Sequence, residues 1–366
     1  MPGSAKTVSD KRPPIRLLVV EDSPSVREFL LYLFASDQDL QVIATAGNGE
    51  EALEAVRSRK PDVITMDLHM PRMDGYTATR AIMENYPTPI VVVTGSSAPE
   101  DISTTLSALE AGALVVMKRP MGIGHPDHAA TARELIQTVK LMSEIKVVKR
   151  WAKQKTPVIP AFDAGQAEPP PVAPAARKHF RLVAIGSSTG GPLVLQRILS
   201  HLPRNFPLPI IIVQHIAQGF AEGFVQWLAE SSGFAVSLAA DGIVMMPSHA
   251  YVVPSGVQAS VDAYARITLK KDAAENGHCP SVSALFRSVA NAYGAYAVGI
   301  LLTGMGKDGA AELGLMRGRG ALTIAQDKES SVVHGMPGEA IALGAATHVL
   351  EPDRIVSVLT GLTKPS

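Results

Sequence analysis

A proline-rich stretch near the middle of the chain divides the sequence into two parts. Six prolines fall between Trp151 and Lys178, and proline can neither continue a helix nor pair within a central strand. We therefore expect a semi-extended linker over residues 146–179. It separates one domain over residues 15–145 from a second over residues 180–366, and a chain of 366 residues fits two domains of ordinary size.

Composition and charge exclude several classes of protein. Hydrophobic residues make up 46% of the chain and charged residues 19%, as in globular domains rather than disordered segments. Lysine plus arginine and aspartate plus glutamate both number 34, so no net field attracts nucleic acid, and we expect no nucleic-acid partner. Cys279 is the only cysteine, which excludes an intrachain disulfide and a thiolate zinc cluster.

The N-terminus and the apolar runs give no sign of a membrane segment. Residues 1–16 are polar and lack the apolar core of a signal peptide. Apolar runs such as LLVV and IIIV end within a few residues, far short of the length that spans a bilayer. We therefore expect a cytoplasmic protein without direct membrane insertion.

The first part of the chain alternates short apolar runs with longer amphipathic segments. Ser23 and Pro24 supply a cap residue and a first-turn proline ahead of one such segment, and acidic residues open two others, where the helix dipole favours them. Five strands alternating with helices predict a parallel, doubly wound α/β sheet. The predicted strands are RLLVV, LQVIATA, DVITM, PIVVV and ALVVM.

The second part repeats this alternation and predicts another doubly wound, mostly parallel α/β domain. Between Phe234 and Leu269 the sequence instead has short strands and tight turns. These predict a small antiparallel portion, as an insertion or at an edge of the sheet. The strands predicted for the parallel sheet are RLVAIG, PIIIVQ, AYAVGILLTG and ALTIAQ.

Acidic side chains follow two strands of the first predicted sheet. Glu21 and Asp22 come directly after the first strand, Asp67 follows the third, and Thr94 ends the fourth. Because the carboxyl ends of parallel strands share one rim, these side chains should converge. Three converging carboxylates repel one another unless a hard cation such as Mg²⁺ neutralises them. A metal-shielded aspartate can then accept a phosphoryl group, which Thr94 would bind; the alternative is three solvated carboxylates at loop starts.

With DLHMPRMDG following the third strand, the first part resembles the receiver domain of bacterial response regulators. The resemblance implies that a histidine kinase supplies the phosphoryl group to Asp67, with Mg²⁺ bound by Asp22, Asp67 and the backbone carbonyl of His69. The family usually has lysine directly before the proline that follows strand five, where this chain has Arg119. Arginine keeps the charge of this switch position but changes its reach. The neighbouring Lys118 should face the opposite side of the strand.

A serine between a predicted strand and a predicted helix is the first candidate for catalysis. The pattern Gly186-x-Ser188-x-Gly190 follows RLVAIG and matches a nucleophile elbow, although glycine and serine also form plain turns and phosphate cradles. His215 follows PIIIVQ, and Asp308 follows AYAVGILLTG in a glycine-rich turn. A parallel sheet would bring all three to one edge, where Ser188 attacks, His215 moves the proton and Asp308 orients the imidazole.

Two other motifs in the second part allow different chemistry. Gly304-x-Gly306-x-x-Gly309 follows a strand and fits a dinucleotide fingerprint, with Asp327 at a plausible distance for a ribose. Asp308 would then lie beside a pyrophosphate, which disfavours this interpretation. Cys279 beside His278 could be a thiol nucleophile, but adjacent residues rarely point at each other, and a small buried or loop cysteine is the simpler interpretation.

The second part resembles the chemotaxis protein-glutamate methylesterase family, through AIGSSTGGP, VQHIAQGF, LTGMGKDGA and AQDKESSVVHGMPGEAI in that order after a receiver. The resemblance implies a catalytic triad of Ser188, His215 and Asp308, with Thr189 and the Met305 backbone N–H holding the oxyanion. It implies that the substrates are methyl-esterified glutamates on the cytoplasmic bundle of chemoreceptors, and that some members also deamidate glutamine. Mg²⁺ would serve phosphorylation, and ester hydrolysis would need no cofactor.

Two positions depart from the pattern of that family. Ser283 stands where the family tends to have aspartate, and His334 where an aromatic residue is common. We expect both near the substrate rim rather than in the chemistry. We also expect the unphosphorylated receiver to block a bulky protein substrate and phosphorylation to relieve the block. The rival interpretation is a signalling protein whose second domain binds a partner and no longer catalyses.

Overall fold

The computed structural model describes residues 13–95, 99–147 and 179–362. Most of the predicted linker, residues 148–178, lies outside the described residues, so the domain boundaries remain predictions. Within the described part, no helix combines the length and the apolar character needed to cross a membrane. The two predicted α/β regions each contain a sheet, and each is described by itself.

The first region forms the predicted alternation of strands and helices. Strands β3 and β4 are buried along their whole length because helices cover both faces of the sheet. The elements of this region are β1 (Ile15–Val20), α1 (Pro24–Ala35), β2 (Leu40–Ala46), α2 (Gly49–Arg59), β3 (Val63–Met66), α3 (Gly75–Asn85), β4 (Ile90–Thr94), α4 (Pro99–Ala111), β5 (Val115–Lys118) and α5 (His128–Ser143).

All strand pairs in the first sheet are parallel, in the order β2-β1-β3-β4-β5. The predicted five-stranded, doubly wound sheet is confirmed. Ser23 occupies the N-cap of α1 with Pro24 in its first turn, as predicted, although the Ser23 side chain makes no capping hydrogen bond. The order places β1 beside β3 and β3 beside β4, so the residues after these three strands lie along one rim.

The second region also alternates strands and helices, and it contains one short pair of antiparallel strands. Its elements are β6 (Leu182–Ser187), α6 (Gly191–His201), β7 (Ile210–Gln214), α7 (Ala221–Ser232), β8 (Ala235–Leu238), β9 (His249–Val252), β10 (Gln258–Val261), β11 (Ile267–Lys270), α8 (Val282–Tyr293), β12 (Ala297–Leu301), α9 (Ala310–Gly318), β13 (Leu322–Gln326), α10 (Met336–Ala342), β14 (His348–Leu350) and α11 (Pro352–Gly361).

Seven strands of this region form a parallel sheet in the order β14-β13-β12-β6-β7-β9-β8. The predicted antiparallel portion is the separate pair β10 and β11. The expectation for residues 234–269 was wrong for β8 and β9, which form a parallel edge of the main sheet. The loop over residues 239–248 carries the chain back to the starting end of β8, so β9 runs in the same direction. Strands β12, β6 and β7 are central neighbours, and their carboxyl ends share one edge.

Helix α8 packs into the hydrophobic core of the second region. Its residues Leu285, Phe286 and Val289 are completely buried in one hydrophobic cluster. Burial of large apolar side chains fixes the orientation of the helix. The N-terminus of α8 therefore has a defined place near the carboxyl ends of the central strands.

Candidate functional site

Backbone hydrogen bonds hold Ser188 in place between β6 and α6. The Ser188 N–H donates to the carbonyl of Thr303 at 3.0 Å, and the Ser188 carbonyl accepts from the Gly191 N–H at 2.8 Å and Gln214 Nε2 at 2.9 Å. Gly190 has a φ of 80°, a conformation that favours glycine, and a Cβ there would lie 2.6 Å from a neighbouring valine side chain. The sharp strand-to-helix turn leaves Ser188 half-buried at the edge of the sheet.

His215 and Asp308 are brought together at the same edge. The Nε2 atom of His215 lies 3.0 Å from Oδ2 of Asp308, and both side chains are almost fully buried. Because a carboxylate only accepts hydrogen bonds, Nε2 carries the proton in this contact. The other ring nitrogen, Nδ1, is buried and has no hydrogen-bond partner among the described residues. The arrangement leaves Nδ1 as the nitrogen that can receive a proton.

The carboxylate of Asp308 is surrounded by donors from the start of α8 and the loop before it. Oδ2 accepts from the Val282 N–H at 2.7 Å, and Oδ1 accepts from Ser281 Oγ at 2.8 Å, the Ser283 N–H at 3.2 Å and Asn276 Nδ2 at 3.2 Å. Helix N-termini favour negative charge through such free N–H groups. The strand-end argument did not find these donors, although serine at an N-cap is a recognisable signal for Ser281.

The pKa of Asp308 reflects a balance between burial and these donors. Burial by itself raises the pKa of Asp308, but the hydrogen bond and electrostatic effect of His215, together with the hydrogen bonds of Ser283 and Ser281, outweigh it. The pKa of Asp308 is therefore held well below its usual range. The side chain is an anion at neutral pH, which is the form that can hold the Nε2 proton of His215.

The expectation that Ser283 lies at the substrate rim was wrong. Ser283 is only 1% exposed. Its Oγ donates a hydrogen bond to Glu312 Oε2 at 2.6 Å and accepts one from the Gly309 N–H at 2.9 Å. The residue supports the turn that carries Asp308, because the N-terminus of α8 faces that turn rather than solvent. His334 is half-buried, and its backbone bridges to Gly304.

The predicted oxyanion residues lie on segments that touch Ser188. The Thr189 carbonyl accepts from Thr303 Oγ1 at 2.9 Å, and Met305, which is 41% exposed, follows Gly304. A Cβ on Gly304 would lie 2.7 Å from the Ser188 Cβ, so the turn carrying Met305 passes directly against the serine. Among the described residues, no hydrogen bond joins Ser188 Oγ to His215, and the roles of Thr189 and Met305 remain predictions.

The sequence argument did not find that His278 stacks on His215. The two ring centroids lie 3.8 Å apart and the planes differ by 7°. Burial, followed by the electrostatic effect of the neighbouring His215 ring, lowers the pKa of His278 to about 4, so the His278 ring is neutral at pH 7. The adjacent Cys279 turns its sulfur toward the carbonyl of Asp272, at 3.8 Å, and burial raises the pKa of this thiol. A protonated thiol in this position does not favour the alternative of a cysteine nucleophile.

The structure also disfavours the dinucleotide alternative, because Asp327, the acid expected to bind a ribose, is engaged in a local hydrogen bond. Asp327 Oδ1 accepts from the backbone N–H of Ser330 at 3.0 Å, so this carboxylate closes its own local turn. Asp308, which lies within the glycine-rich turn, is turned toward the start of α8, where its carboxylate accepts from Ser281, Val282 and Ser283. An anion held in that turn would lie close to this negative charge, which disfavours a pyrophosphate there.

The three carboxylates of the first region converge as the strand order requires. Oxygen atoms of Glu21, Asp22 and Asp67 lie within 4.8 Å of one another; we call this group the acidic pocket. Burial, reinforced by the charge of Asp67, raises the pKa of Glu21 to about 7, and burial likewise raises the pKa of Asp67. A hard divalent cation fits this donor set because it would offset both the burial and the mutual repulsion. His69 is exposed two residues beyond Asp67.

The predicted switch residues lie beside the acidic pocket. Thr94 ends β4 and is buried, and the Arg119 N–H donates to the Thr94 carbonyl at 2.8 Å. The Arg119 side chain reaches into the pocket, with Nη2 at 3.5 Å from Oε2 of Glu21. Arg119 Nε is buried without a hydrogen-bond partner among the described residues. Arginine at this position therefore reaches the Glu21 carboxylate despite its different geometry.

Comparisons with known proteins match both regions. A family model described as CheB methylesterase matches residues 183–359, and one described as response regulator receiver domain matches residues 17–125. A protein-glutamate methylesterase/protein-glutamine glutaminase of Nitrosospira multiformis is 56% identical over 95% of this chain and 97% of its own length. A similarly named protein of Geobacter metallireducens is 52% identical over 95% of this chain and 99% of its own length. Another similarly named protein, from Syntrophus aciditrophicus, is 51% identical over 95% of this chain and 98% of its own length.

Proposed function

This chain belongs to the protein-glutamate methylesterase/protein-glutamine glutaminase family, and from that premise we propose that Ser188, His215 and Asp308 form its catalytic triad. The substrates are methyl-esterified glutamate side chains on the cytoplasmic domains of chemoreceptors. The chain is a hydrolase with a receiver domain. The observation that carries the triad is the bond of 3.0 Å between His215 Nε2 and Asp308 Oδ2 at the edge that Ser188 shares.

Ester hydrolysis proceeds in two steps. His215 Nδ1 takes the hydroxyl proton while Ser188 Oγ attacks the ester carbonyl, and the tetrahedral intermediate expels methanol as Nδ1 returns the proton. Water then attacks the acyl-enzyme with the same nitrogen as base, releasing the free carboxylate. Asp308 stays ionised and holds the Nε2 proton, so the ring faces the serine with an unprotonated nitrogen.

The developing oxyanion requires donors on the other side of the carbonyl. Thr189 and the Met305 backbone N–H supply them, because Thr189 directly follows Ser188 in the chain and the turn that carries Met305 passes against the serine. Glutamine deamidation is the same acyl transfer with ammonia as the leaving group, so one site serves both reactions. Neither reaction needs a cofactor.

Phosphorylation of Asp67 by a histidine kinase regulates this activity. Asp22, Asp67 and the His69 carbonyl would hold Mg²⁺, with Glu21 beside them, and the cation would neutralise charge during phosphoryl transfer. Thr94 and Arg119 bind the new phosphoryl oxygens, because both lie at the rim of the acidic pocket. The phosphorylated state favours hydrolysis over the unphosphorylated state.

The domain organisation and location complete the proposal. A receiver over residues 15–145 joins, through a proline-rich linker over residues 146–179, a catalytic domain over residues 180–366. The protein acts in the cytoplasm, where the receptor domains and the kinase are accessible.

Methanol release from a methylated receptor fragment tests the proposal. We expect release by the full chain to rise with Mg²⁺ and a small phosphodonor, and Ser188→Ala to abolish it without lowering thermal stability. Ser200→Ala is the matched control, because Ser200 is an exposed serine on α6. Unchanged release by Ser188→Ala would refute the triad. No release by the wild-type chain, with the receptor fragment still bound, would favour the binding-module alternative.

A further inference from the structure

The ring of His278 covers one face of the His215 imidazole, and we propose that His278 is a positioning residue that fixes the orientation of the catalytic base. The ring centroids are 3.8 Å apart and the planes are within 7° of parallel. The inference rests on the proposed function, because it assigns a task relative to His215 as base. His278 itself exchanges no proton with substrate.

The His215 ring needs such a support. Its Nε2 bonds to Asp308, while Nδ1 has no hydrogen-bond partner among the described residues. A ring held by one hydrogen bond can swing about that bond, which moves Nδ1 relative to Ser188. A parallel ring in contact with its face restricts that swing. The stacking therefore supplies the second constraint that one hydrogen bond lacks.

The support is itself held rigidly. The backbone groups of Glu275 and His278 exchange hydrogen bonds of 3.0 and 2.9 Å, closing a tight turn whose central residues, Asn276 and Gly277, both have positive φ. This pattern is that of a two-residue hairpin turn. The His278 carbonyl also accepts from Gln258 Nε2 at 3.1 Å. We call residues 275–278 the clamp turn.

The clamp turn contacts both members of the acid–base pair. His278 stacks on His215, and Asn276 Nδ2 donates to Oδ1 of Asp308 at 3.2 Å. Two side chains of one turn thus hold the two side chains whose mutual bond sets the tautomer. This second contact is independent of the stacking.

A neutral ring suits this position better than a charged one. The charged and titratable groups nearest the His278 ring are His215 and Asp308, and burial keeps the pKa of His278 at about 4. When His215 takes the serine proton, a neutral aromatic face beside it attracts the new cation, whereas a protonated His278 would repel it.

Two substitutions in the full chain separate the ring from its nitrogens. His278→Leu keeps bulk without an aromatic face, and we expect kcat for methanol release to fall about tenfold with KM within about twofold, as for a misplaced catalytic group. His278→Phe keeps the face without titratable nitrogens, and we expect at least half of the wild-type kcat. His201→Leu is the matched control, because His201 is exposed at the end of α6, and it should change neither parameter.

Nitrogen NMR of the His215 ring gives a readout that does not depend on turnover. In the wild type and His278→Phe we expect one tautomer, with the proton on Nε2. In His278→Leu we expect exchange-broadened or averaged ring signals.

Several results would overturn the positioning role. Wild-type kcat in His278→Leu would do so, as would a rise in KM alone, which indicates substrate contact. Equal losses in both variants would assign the effect to the nitrogens instead. If His278→Leu does not fold, low kcat in a folded His278→Phe overturns the role. If the wild type releases no methanol, the proposed function fails, and unchanged ring signals in His278→Leu would separately reject the positioning.

Discussion

Replacing Asp308 with asparagine keeps the size of the side chain and converts one of its acceptor oxygens into a donor. Oδ2 accepts from His215 Nε2 and the Val282 N–H, while Oδ1 accepts from Ser281, Ser283 and Asn276. In either orientation of the new amide, its NH₂ group faces at least one backbone N–H. Asp308→Asn therefore sets donor against donor at a buried position.

The magnitude follows from the number and kind of bonds lost. Hydrogen bonds to a charged group contribute about 1.5–3 kcal/mol each, and a buried donor left unpaired costs about 1–3 kcal/mol. Allowing for some relaxation, we expect the free energy of unfolding of the second domain to fall by about 2–4 kcal/mol. At roughly 2–4 °C per kcal/mol for a domain of this size, Tm falls by about 4–16 °C.

The catalytic loss should exceed what the stability change alone implies. Without the carboxylate, His215 is free to place its proton on Nδ1, so the nitrogen facing the serine no longer accepts. Loss of the correct tautomer in a serine triad lowers kcat by about 10⁴. The two effects are separable because the first appears in unfolding and the second in turnover of the folded protein.

Methanol release at saturating substrate and denaturant unfolding at pH 7 measure the two effects. Asp353→Asn is the matched control, because Asp353 pairs with Arg197 at the exposed surface and should alter stability by less than about 1 kcal/mol. If Asp308→Asn keeps more than a tenth of the wild-type kcat, Asp308 does not set the tautomer. A large loss of kcat with unchanged unfolding would show that the donors at α8 do not anchor the site.

Three further outcomes are expected. Gly304→Ala inserts a Cβ against the Ser188 Cβ and the Met336 sulfur, so kcat should fall about 100-fold with little change in KM; wild-type kcat would contradict this packing. The pKa of His278 is about 4 in the folded chain and about 6.5 unfolded. Protons therefore favour the unfolded state below pH 6.5, and unfolding free energy should fall between pH 6.5 and 4, by about 1–2 kcal/mol after allowance for partial exposure. In denaturant titrations at pH 7 and 4.5, His278→Phe should show a smaller loss of unfolding free energy between the two pH values than the wild type. An equal loss in the variant and the wild type would contradict this prediction. Asp67→Asn should abolish Mg²⁺-dependent phosphoryl incorporation from acetyl phosphate, and incorporation that persists would place the phosphoryl group elsewhere.

The strand ends could be located from the sequence because buried parallel strands consist of short, continuous apolar runs. LQVIATA coincides with β2, and PIIIVQ ends at the last residue of β7, directly before His215. Once strand ends are known, the shared rim follows from parallel topology. That reasoning was sufficient to group Ser188, His215 and Asp308 at one edge.

Most of the support around the proposed triad could not be predicted, because it comes from a loop and a helix start with no strand periodicity; only Ser281, as an N-cap serine, carries a local sequence signal. Asn276, His278 and Ser281 reach His215 and Asp308 only after α8 packs into the core, which is a tertiary event. The expectation for Ser283 was wrong for the same reason: a departure from a family pattern does not reveal which way a helix N-terminus faces. The direction of β9 depended on the path of the preceding loop, which short strands and turns do not specify.

The anchoring of Asp308 by backbone N–H groups has a consequence for mutational tolerance. The donors at 282 and 283 belong to the main chain, so side-chain replacement at these positions does not delete them, and proline is the residue that would. Val282, however, fills the space left by Gly186 and Gly309, two glycines close in the chain to Ser188 and Asp308. Substitution at position 282 is therefore limited by the volume of the side chain rather than by its polarity. A saturation library at this position should retain residues similar in size to valine and reject proline and large aromatic residues.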